Sequence, residues 1–213
     1  MQGQSKARSL DRAGGLRLPL RERPVLLTAV VESSALPPDH GREVAFAGRS
    51  NAGKSSAINA ITGCAGLART SKTPGRTRAL LFFGIAPERR IVDLPGYGHA
   101  AVPEPVRVGW RALLTRYLAR RHSLVGIFLI SDARHPITDL DLEFLSEALA
   151  CGRPCHVLLS KADKLSRSGW LRAAEQARAR LSGLPVEVGV SPFSAHAGLG
   201  LSEARGRLLA WLS

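Results

Sequence analysis

Short apolar runs alternate with longer helical patterns along most of the chain. Runs rich in apolar and β-branched residues predict six strands, at Glu43–Ala47, Ala79–Ile85, Arg90–Asp93, Leu124–Ser131, Pro154–Ser160 and Val186–Val190. Helical patterns predict five helices, at Lys54–Thr62, Pro105–His122, Thr138–Ala150, Gly169–Leu181 and Gly200–Leu212. Strands that alternate with helices predict βαβ units around a mostly parallel sheet, with ligands bound at the carboxyl ends of its strands.

Composition adds a strong positive charge to this picture. The 213 residues include 30 Lys and Arg against 17 Asp and Glu, which gives a formal net charge of +13. Such a surface attracts polyanions, including nucleic acid. Residues 1–22 are rich in Arg and Gly without periodicity and predict a flexible basic arm, so we expect one folded domain at residues 23–213.

The sequence also carries information on location. Apolar runs such as Leu124–Ile130 are shorter than the roughly 18 residues that span a bilayer, and the N-terminus has basic residues without an apolar signal core. Cys64, Cys151 and Cys155 cannot all pair, and the last two lack the His or Cys companions of a zinc site. We therefore expect a cytoplasmic protein with reduced thiols and no membrane partner.

A phosphate-binding motif follows the first predicted strand. The segment Gly48-Arg49-Ser50-Asn51-Ala52-Gly53-Lys54-Ser55 matches GxxxxGKS and lies between a predicted strand and a predicted helix. Its glycines let the backbone turn tightly, so that successive N–H groups converge on phosphate oxygens. Lys54 is expected to bridge the β and γ phosphates, and the Ser55 hydroxyl to bind Mg²⁺. The motif predicts a P-loop NTPase but does not separate ATP from GTP.

Two further segments predict a metal site and a switch. In Asp93-Leu94-Pro95-Gly96, a DxxG motif, Asp93 can hold Mg²⁺ through water, and the Gly96 N–H can meet the γ phosphate and report its loss. The polar segment from Thr70 to Thr77 predicts a mobile first switch. Thr77, or alternatively Thr73, is expected to complete the Mg²⁺ shell.

Guanine specificity is predicted by Ser160-Lys161-Ala162-Asp163, which fits the pattern [NTS]KxD after an apolar strand. A carboxylate at Asp163 can accept both guanine N1–H and N2–H₂, whereas adenine presents no such pair of donors. Lys161 is expected to pack against the base and brace the phosphate loop. A backbone N–H of Ser194 or Ala195 is a candidate donor to guanine O6.

Together these motifs predict a three-layer α/β P-loop NTPase fold, a Ras-like G domain with a mostly parallel sheet flanked by helices. The predicted phosphate contacts are Gly48, Arg49, Ser50, Asn51, Ala52, Gly53, Lys54, Ser55, Ser56, Thr77 and Gly96. The predicted guanine contacts are Ser160, Lys161, Asp163, Ser194 and Ala195, and the predicted Mg²⁺ ligands are Ser55, Thr77 and Asp93. No side-chain base for hydrolysis is identified.

The motifs also resemble a known family. GRSNAGKSS at 48–56, TSKTPGRT at 70–77, DLPGYG at 93–98 and SKADKLS at 160–166 are similar to those of EngB (YihA/YsxC), from about residue 24 to the C-terminus. Members of that family are bacterial GTPases of the TrmE–Era type, linked to assembly of the large ribosomal subunit and to growth and division. The resemblance implies a ribosomal partner and a monomeric GTPase switch.

Two residues bear on the expected rate of hydrolysis. Tyr97 follows DxxG where Ras-like GTPases place a water-orienting Gln, so intrinsic hydrolysis is expected to be slow. Asn51 matches the phosphate-loop Asn that ligates K⁺ in TrmE-like relatives. This match implies that K⁺ stimulates hydrolysis.

The basic surface is the expected contact with preribosomal RNA or protein. The candidate contacts are Arg76, Arg78, Arg89, Arg90, Arg116, Arg120 and Arg121. A nucleic-acid-binding module with a structural nucleotide site is one alternative, opposed by an aromatic content of only 5%. A P-loop ATPase or nucleotide kinase is another, opposed by the guanine motif at Ser160–Asp163.

Overall fold

The computed structural model describes residues 23–68, 79–98 and 104–213. Within these ranges the chain forms one seven-stranded sheet with helices on both faces. The strands are β1 (Val25–Val30), β2 (Arg42–Gly48), β3 (Leu80–Ala86), β4 (Arg89–Asp93), β5 (Leu124–Asp132), β6 (Cys155–Ser160) and β7 (Gly189–Pro192). The longer helices are α1 (Lys54–Thr62), α2 (Glu104–Arg120), α3 (Asp139–Ala150), α4 (Arg167–Leu181) and α5 (Leu201–Leu212).

The sheet is parallel over most of its width. Its strand order is β1-β3-β4-β2-β5-β6-β7, and the five strands from β4 to β7 pair in parallel. The antiparallel pairs of the described strands, β1 with β3 and β3 with β4, lie at one edge. Because the carboxyl ends of parallel strands meet at one edge of a sheet, the loops after β2, β4, β5, β6 and β7 lie together.

Two apolar clusters hold the helices to the sheet. One face buries residues of α2, α3 and α4, such as Leu118, Leu145 and Ala177, against the sheet. The other buries residues of α1 and α5, such as Ile58 and Leu208. The result has three layers, and the predicted fold class is confirmed.

The elements differ from the sequence prediction in two strands. No strand was predicted at β1, where Val25, Leu26 and Leu27 are exposed and lack the alternation of a half-buried strand. The last strand was predicted at Val186–Val190 but runs from Gly189 to Pro192, and Val186 is exposed. The predicted basic arm at residues 1–22 lies outside the described residues.

A buried ion cluster lies at the amino end of β2, far from the phosphate loop. Glu43 is fully buried and accepts hydrogen bonds from Arg121 Nε at 2.9 Å and Arg121 Nη2 at 2.6 Å. Arg90 Nε lies 2.9 Å from the same carboxylate, and Tyr117 Oη donates to it at 3.2 Å. The prediction of Arg90 and Arg121 as surface contacts for RNA is therefore wrong, because both guanidinium groups are buried against Glu43.

None of the helices in the described ranges is both long and apolar enough to cross a membrane.

Candidate nucleotide-binding site

The phosphate loop connects β2 to α1. Gly48 ends β2 beside β5, where a Cβ atom would lie 2.4 Å from the carbonyl oxygen of Ile130, so no larger residue fits. The loop turns at Asn51, whose φ of 64° is left-handed, and then enters the first turn of α1 at Lys54. The first N–H groups of a helix have no partner within it and favour an anion. This end of α1 is therefore built to receive phosphate.

The predicted guanine loop, Ser160–Asp163, is hydrogen-bonded to the phosphate loop. At the end of β6, Ser160 Oγ donates to the carbonyl oxygen of Ala52. Lys161 Nζ donates to the carbonyl oxygen of Asn51 at 2.6 Å. These bonds join two motifs that lie more than a hundred residues apart in the chain, and they brace the phosphate loop as predicted for Lys161.

Asp163 is held in place by the loop after β7. Ser194 Oγ donates to Asp163 Oδ1 at 2.6 Å, and Lys164 Nζ lies 3.3 Å from Oδ2. The hydrogen bond from Ser194 lowers the pKa of Asp163, which keeps the carboxylate ionised for the guanine donors. The N–H of Ser194 donates to the carbonyl oxygen of Leu199 at 2.9 Å, so Ala195 is left as the candidate donor to guanine O6.

The DxxG loop lies against the phosphate loop. Asp93 ends β4 and forms an ion pair with Lys54, and both side chains are about nine-tenths buried. Burial raises the pKa of Asp93, and the charge of Lys54 opposes that rise. At Gly96 a Cβ atom would lie 2.8 Å from Ser50 Oγ, so a larger residue would force Ser50 to move.

These residues fit a Mg²⁺ ion. Ser55 follows Lys54 in the first turn of α1, and Asp93 forms an ion pair with Lys54, so a hydroxyl and a carboxylate belong to the two segments that adjoin Lys54. Both are the hard oxygen ligands that Mg²⁺ prefers. No group of three or more His, Cys, Asp or Glu side chains in the described ranges could hold a metal by itself. Phosphate oxygens and water would therefore supply most of the ligands.

Comparisons with known proteins agree with this geometry. A family model described as a 50S ribosome-binding GTPase matches residues 43–161. The probable GTP-binding protein EngB of Stenotrophomonas maltophilia is 51% identical over 178 residues, which cover 83% of this chain and 89% of that protein. The chain belongs to the EngB family of GTP-binding proteins. The resemblance in the motifs is thereby confirmed.

Other EngB proteins and solved structures extend the comparison. The probable GTP-binding protein EngB of Pasteurella multocida is 45% identical over 187 residues, covering 88% of this chain and 91% of that protein. A crystal structure of a probable EngB superposes with a TM-score of 0.64 at 23% identity, over 80% of this chain and 98% of that one. The crystal structure of Era from Aquifex aeolicus, bound to GDP and AlF4⁻, superposes with a TM-score of 0.60 at 21% identity. The match covers 82% of this chain and 57% of that one. The two structures show a shared fold.

The predicted first switch, with Thr73 and Thr77, lies outside the described residues, as do Arg76 and Arg78. The other predicted site residues lie at the carboxyl edge of the sheet. They are Gly48 to Gly53 in the phosphate loop, Lys54 to Ser56 in α1, Asp93 and Gly96 at β4, Ser160 to Asp163 after β6, and Ser194 and Ala195 after β7.

Asp132 is a site residue of this EngB chain that the motifs missed. It ends β5, and its Oδ2 accepts a hydrogen bond from Lys161 Nζ at 2.9 Å. Arg134 donates to both oxygens, at 3.0 and 2.7 Å. Burial acts to raise the pKa of Asp132, but the hydrogen bonds from Arg134 and Lys161 outweigh it and hold the pKa below its usual range. Asp132 thus fixes the ammonium that braces the phosphate loop.

We expect Asp132→Asn to weaken binding of GDP and GTP alike by about tenfold, because it loosens Lys161 without touching the phosphates. Isothermal titration with each nucleotide measures this loss. Glu143→Gln on α3 is a matched control, since this exposed carboxylate lies outside the site. Unchanged affinity in Asp132→Asn would contradict a bracing role.

Proposed function

We propose that this chain is a guanine-nucleotide switch that hydrolyses GTP slowly with Mg²⁺ and acts in assembly of the large ribosomal subunit, and through it in bacterial growth and division. The observation that carries the proposal is the direct bonding of the guanine loop to the phosphate loop, through Ser160 and Lys161. A site joined in this way holds base and phosphates in one rigid frame. The γ phosphate is then the part of the ligand that distinguishes the two states.

Five of the predicted residues have defined roles in this proposal. Asp163 binds the guanine edge, and Lys54 and the first turn of α1 bind the phosphates. Ser55 and Asp93 would hold Mg²⁺, which when bound neutralises charge that develops on the phosphates. The Gly96 N–H meets the γ phosphate and loses that partner after hydrolysis.

The position of Tyr97 supports slow hydrolysis. Its hydroxyl donates to Asp141 Oδ1 at 2.6 Å, so it is turned toward α3 and does not orient an attacking water. Asn51, at the turn of the phosphate loop, is exposed and offers an amide oxygen to K⁺. Hydrolysis measured in K⁺ and in Na⁺ buffer should be faster in K⁺; equal rates would reject a role for this ion.

The ribosomal partner is supported by charge and by the description of the matching family model. Arg90 and Arg121 are buried. The candidate RNA contacts that remain on α2 are Arg116 and Arg120, which lie four residues apart on its exposed face. Guanidinium groups on one face of a helix suit RNA phosphates.

Sedimentation with purified large ribosomal subunits tests this role. We expect binding with a GTP analogue to exceed binding with GDP, and to fall steeply as salt rises. The double variant Arg116→Gln with Arg120→Gln should bind several-fold more weakly, whereas Arg172→Gln, an exposed change on α4, should bind nearly as well. Salt-insensitive binding, or equal binding with both nucleotides, would contradict the proposal.

A further inference from the structure

Tyr97 connects the DxxG loop to the phosphate loop through its backbone. Its carbonyl oxygen accepts a hydrogen bond from the N–H of Ser50 at 3.1 Å. Arg49 and Tyr97 also form a single parallel β-bridge, which continues the pairing of β2 with β4 beyond the ends of both strands. Gly96, directly before Tyr97, is therefore held close to the phosphate loop.

The side chain of Tyr97 connects the same loop to α3. In addition to the hydrogen bond to Asp141, its ring stacks on Phe144, with centroids 5.7 Å apart and planes 18° apart. Burial, and then the charge of Asp141, raise the pKa of Tyr97 well above its usual value, so the hydroxyl remains a donor. The contact combines apolar packing with a hydrogen bond to a carboxylate. A hydrogen bond to a charged group is stronger than a hydrogen bond between neutral groups.

Asp141 is itself fixed in the first turn of α3. It is only 1% exposed, and its Oδ2 accepts from Thr138 N at 2.8 Å and from Thr138 Oγ1 at 2.9 Å. A carboxylate at the N-terminus of a helix is also favoured by the helix dipole. Both oxygens of Asp141 thus have defined donors, and the hydroxyl of Tyr97 is one of them.

We propose that Tyr97 is a positioning residue for the γ phosphate, and that its hydrogen bond to Asp141 holds Gly96 where its N–H meets that phosphate. The inference rests on the contact between Gly96 and the γ phosphate in the proposed function. Without the bond, the DxxG loop keeps its backbone contacts with Arg49 and Ser50 and the stacking of the Tyr97 ring on Phe144, but it loses its hydrogen bond to α3. GDP lacks the γ phosphate, so its binding does not depend on this placement.

Tyr97→Phe tests the proposal, because it keeps the ring on Phe144 and removes only the hydroxyl. We expect the affinity for a non-hydrolysable GTP analogue to fall about fivefold to tenfold, while the affinity for GDP changes less than about twofold. Asp141→Asn should also lower the ratio of the affinity for the GTP analogue to the affinity for GDP. The reason is that an amide cannot accept from both Tyr97 and Thr138 as the carboxylate does. The double variant should lose little more than either single variant.

Tyr117→Phe is the matched control, since it removes another buried tyrosine hydroxyl, at Glu43. It should lower stability and leave the ratio of the two affinities unchanged. An unchanged ratio in Tyr97→Phe, or an equal loss of GDP and GTP analogue, would overturn the positioning role while leaving the proposed switch in place. A wild-type protein that binds neither nucleotide would overturn both.

Discussion

Asp163→Asn should lower the affinity for GDP and GTP by at least about a hundredfold. The carboxylate of Asp163 is oriented by the hydroxyl of Ser194, which donates to Oδ1. An asparagine that keeps this bond through its amide oxygen turns its NH₂ group toward the base. The amide oxygen can still accept from N1–H, but the NH₂ group faces the N2–H₂ donor of guanine, and a donor facing a donor is unfavourable.

The same geometry predicts a gain for another base. Xanthine carries a carbonyl oxygen where guanine carries its amino group, and the amide of Asn can donate to that oxygen and accept from N1–H. Binding of xanthosine diphosphate should therefore improve in Asp163→Asn as GDP binding falls. Asp139→Asn is the control, since this carboxylate is 90% exposed and pairs with Arg180 on the surface. Retained preference for guanine over xanthine would exclude Asp163 from base recognition.

Glu43→Ala should lower the free energy of unfolding by about 3 kcal/mol or more. The carboxylate is the shared partner of Arg90 and Arg121, which are 7% and 4% exposed. Its removal takes this buried counter-charge away from Arg90 and leaves Arg121 with the more exposed carboxylate of Asp39, whose Oδ1 lies 3.5 Å from Arg121 Nε. Arg121 keeps its hydrogen bond to the carbonyl oxygen of Pro37 at 2.7 Å, which does not replace an anion.

Urea unfolding followed by tryptophan fluorescence measures this loss. Glu175→Ala on the exposed face of α4 is the matched control and should change stability by less than about 0.5 kcal/mol. The six residues from Glu43 to Gly48 span about 17 Å of extended strand, so the folded fraction of Glu43→Ala should still bind GDP normally. A loss below about 1 kcal/mol would show that the cluster contributes little to stability.

The parts of the site that could be predicted from the sequence are those in which one short motif holds all the residues that bind a given part of the ligand. Gly48 and Lys54 belong to a single loop, and Asp163 follows Lys161 by two residues. Their side-chain types and spacing are dictated by phosphate and guanine, so the pattern is visible without a fold. Asp132 had a weaker signal, an acidic residue that ends an apolar strand but lacks the glycine three residues later that completes the DxxG motif at Asp93.

The features that were missed depend on contacts between distant segments. Glu43 and Arg121 are 78 residues apart. Nothing in the sequence around either residue predicts that the two side chains form a buried ion pair. Arginine is the common cation of this chain, so its sequence alone does not separate buried from exposed guanidinium groups. Strand β1 is stabilised by pairing with β3, more than fifty residues later, rather than by a pattern of its own.

Nucleotide selectivity of the wild-type protein tests the central claim most directly. Fluorescent GDP, a GTP analogue and an ATP analogue would be titrated against purified protein with Mg²⁺. The geometry of Asp163 and Ser194 predicts that both guanine nucleotides bind at least about a thousandfold more tightly than the adenine nucleotide. Comparable affinities for guanine and adenine nucleotides would contradict the assignment of this site.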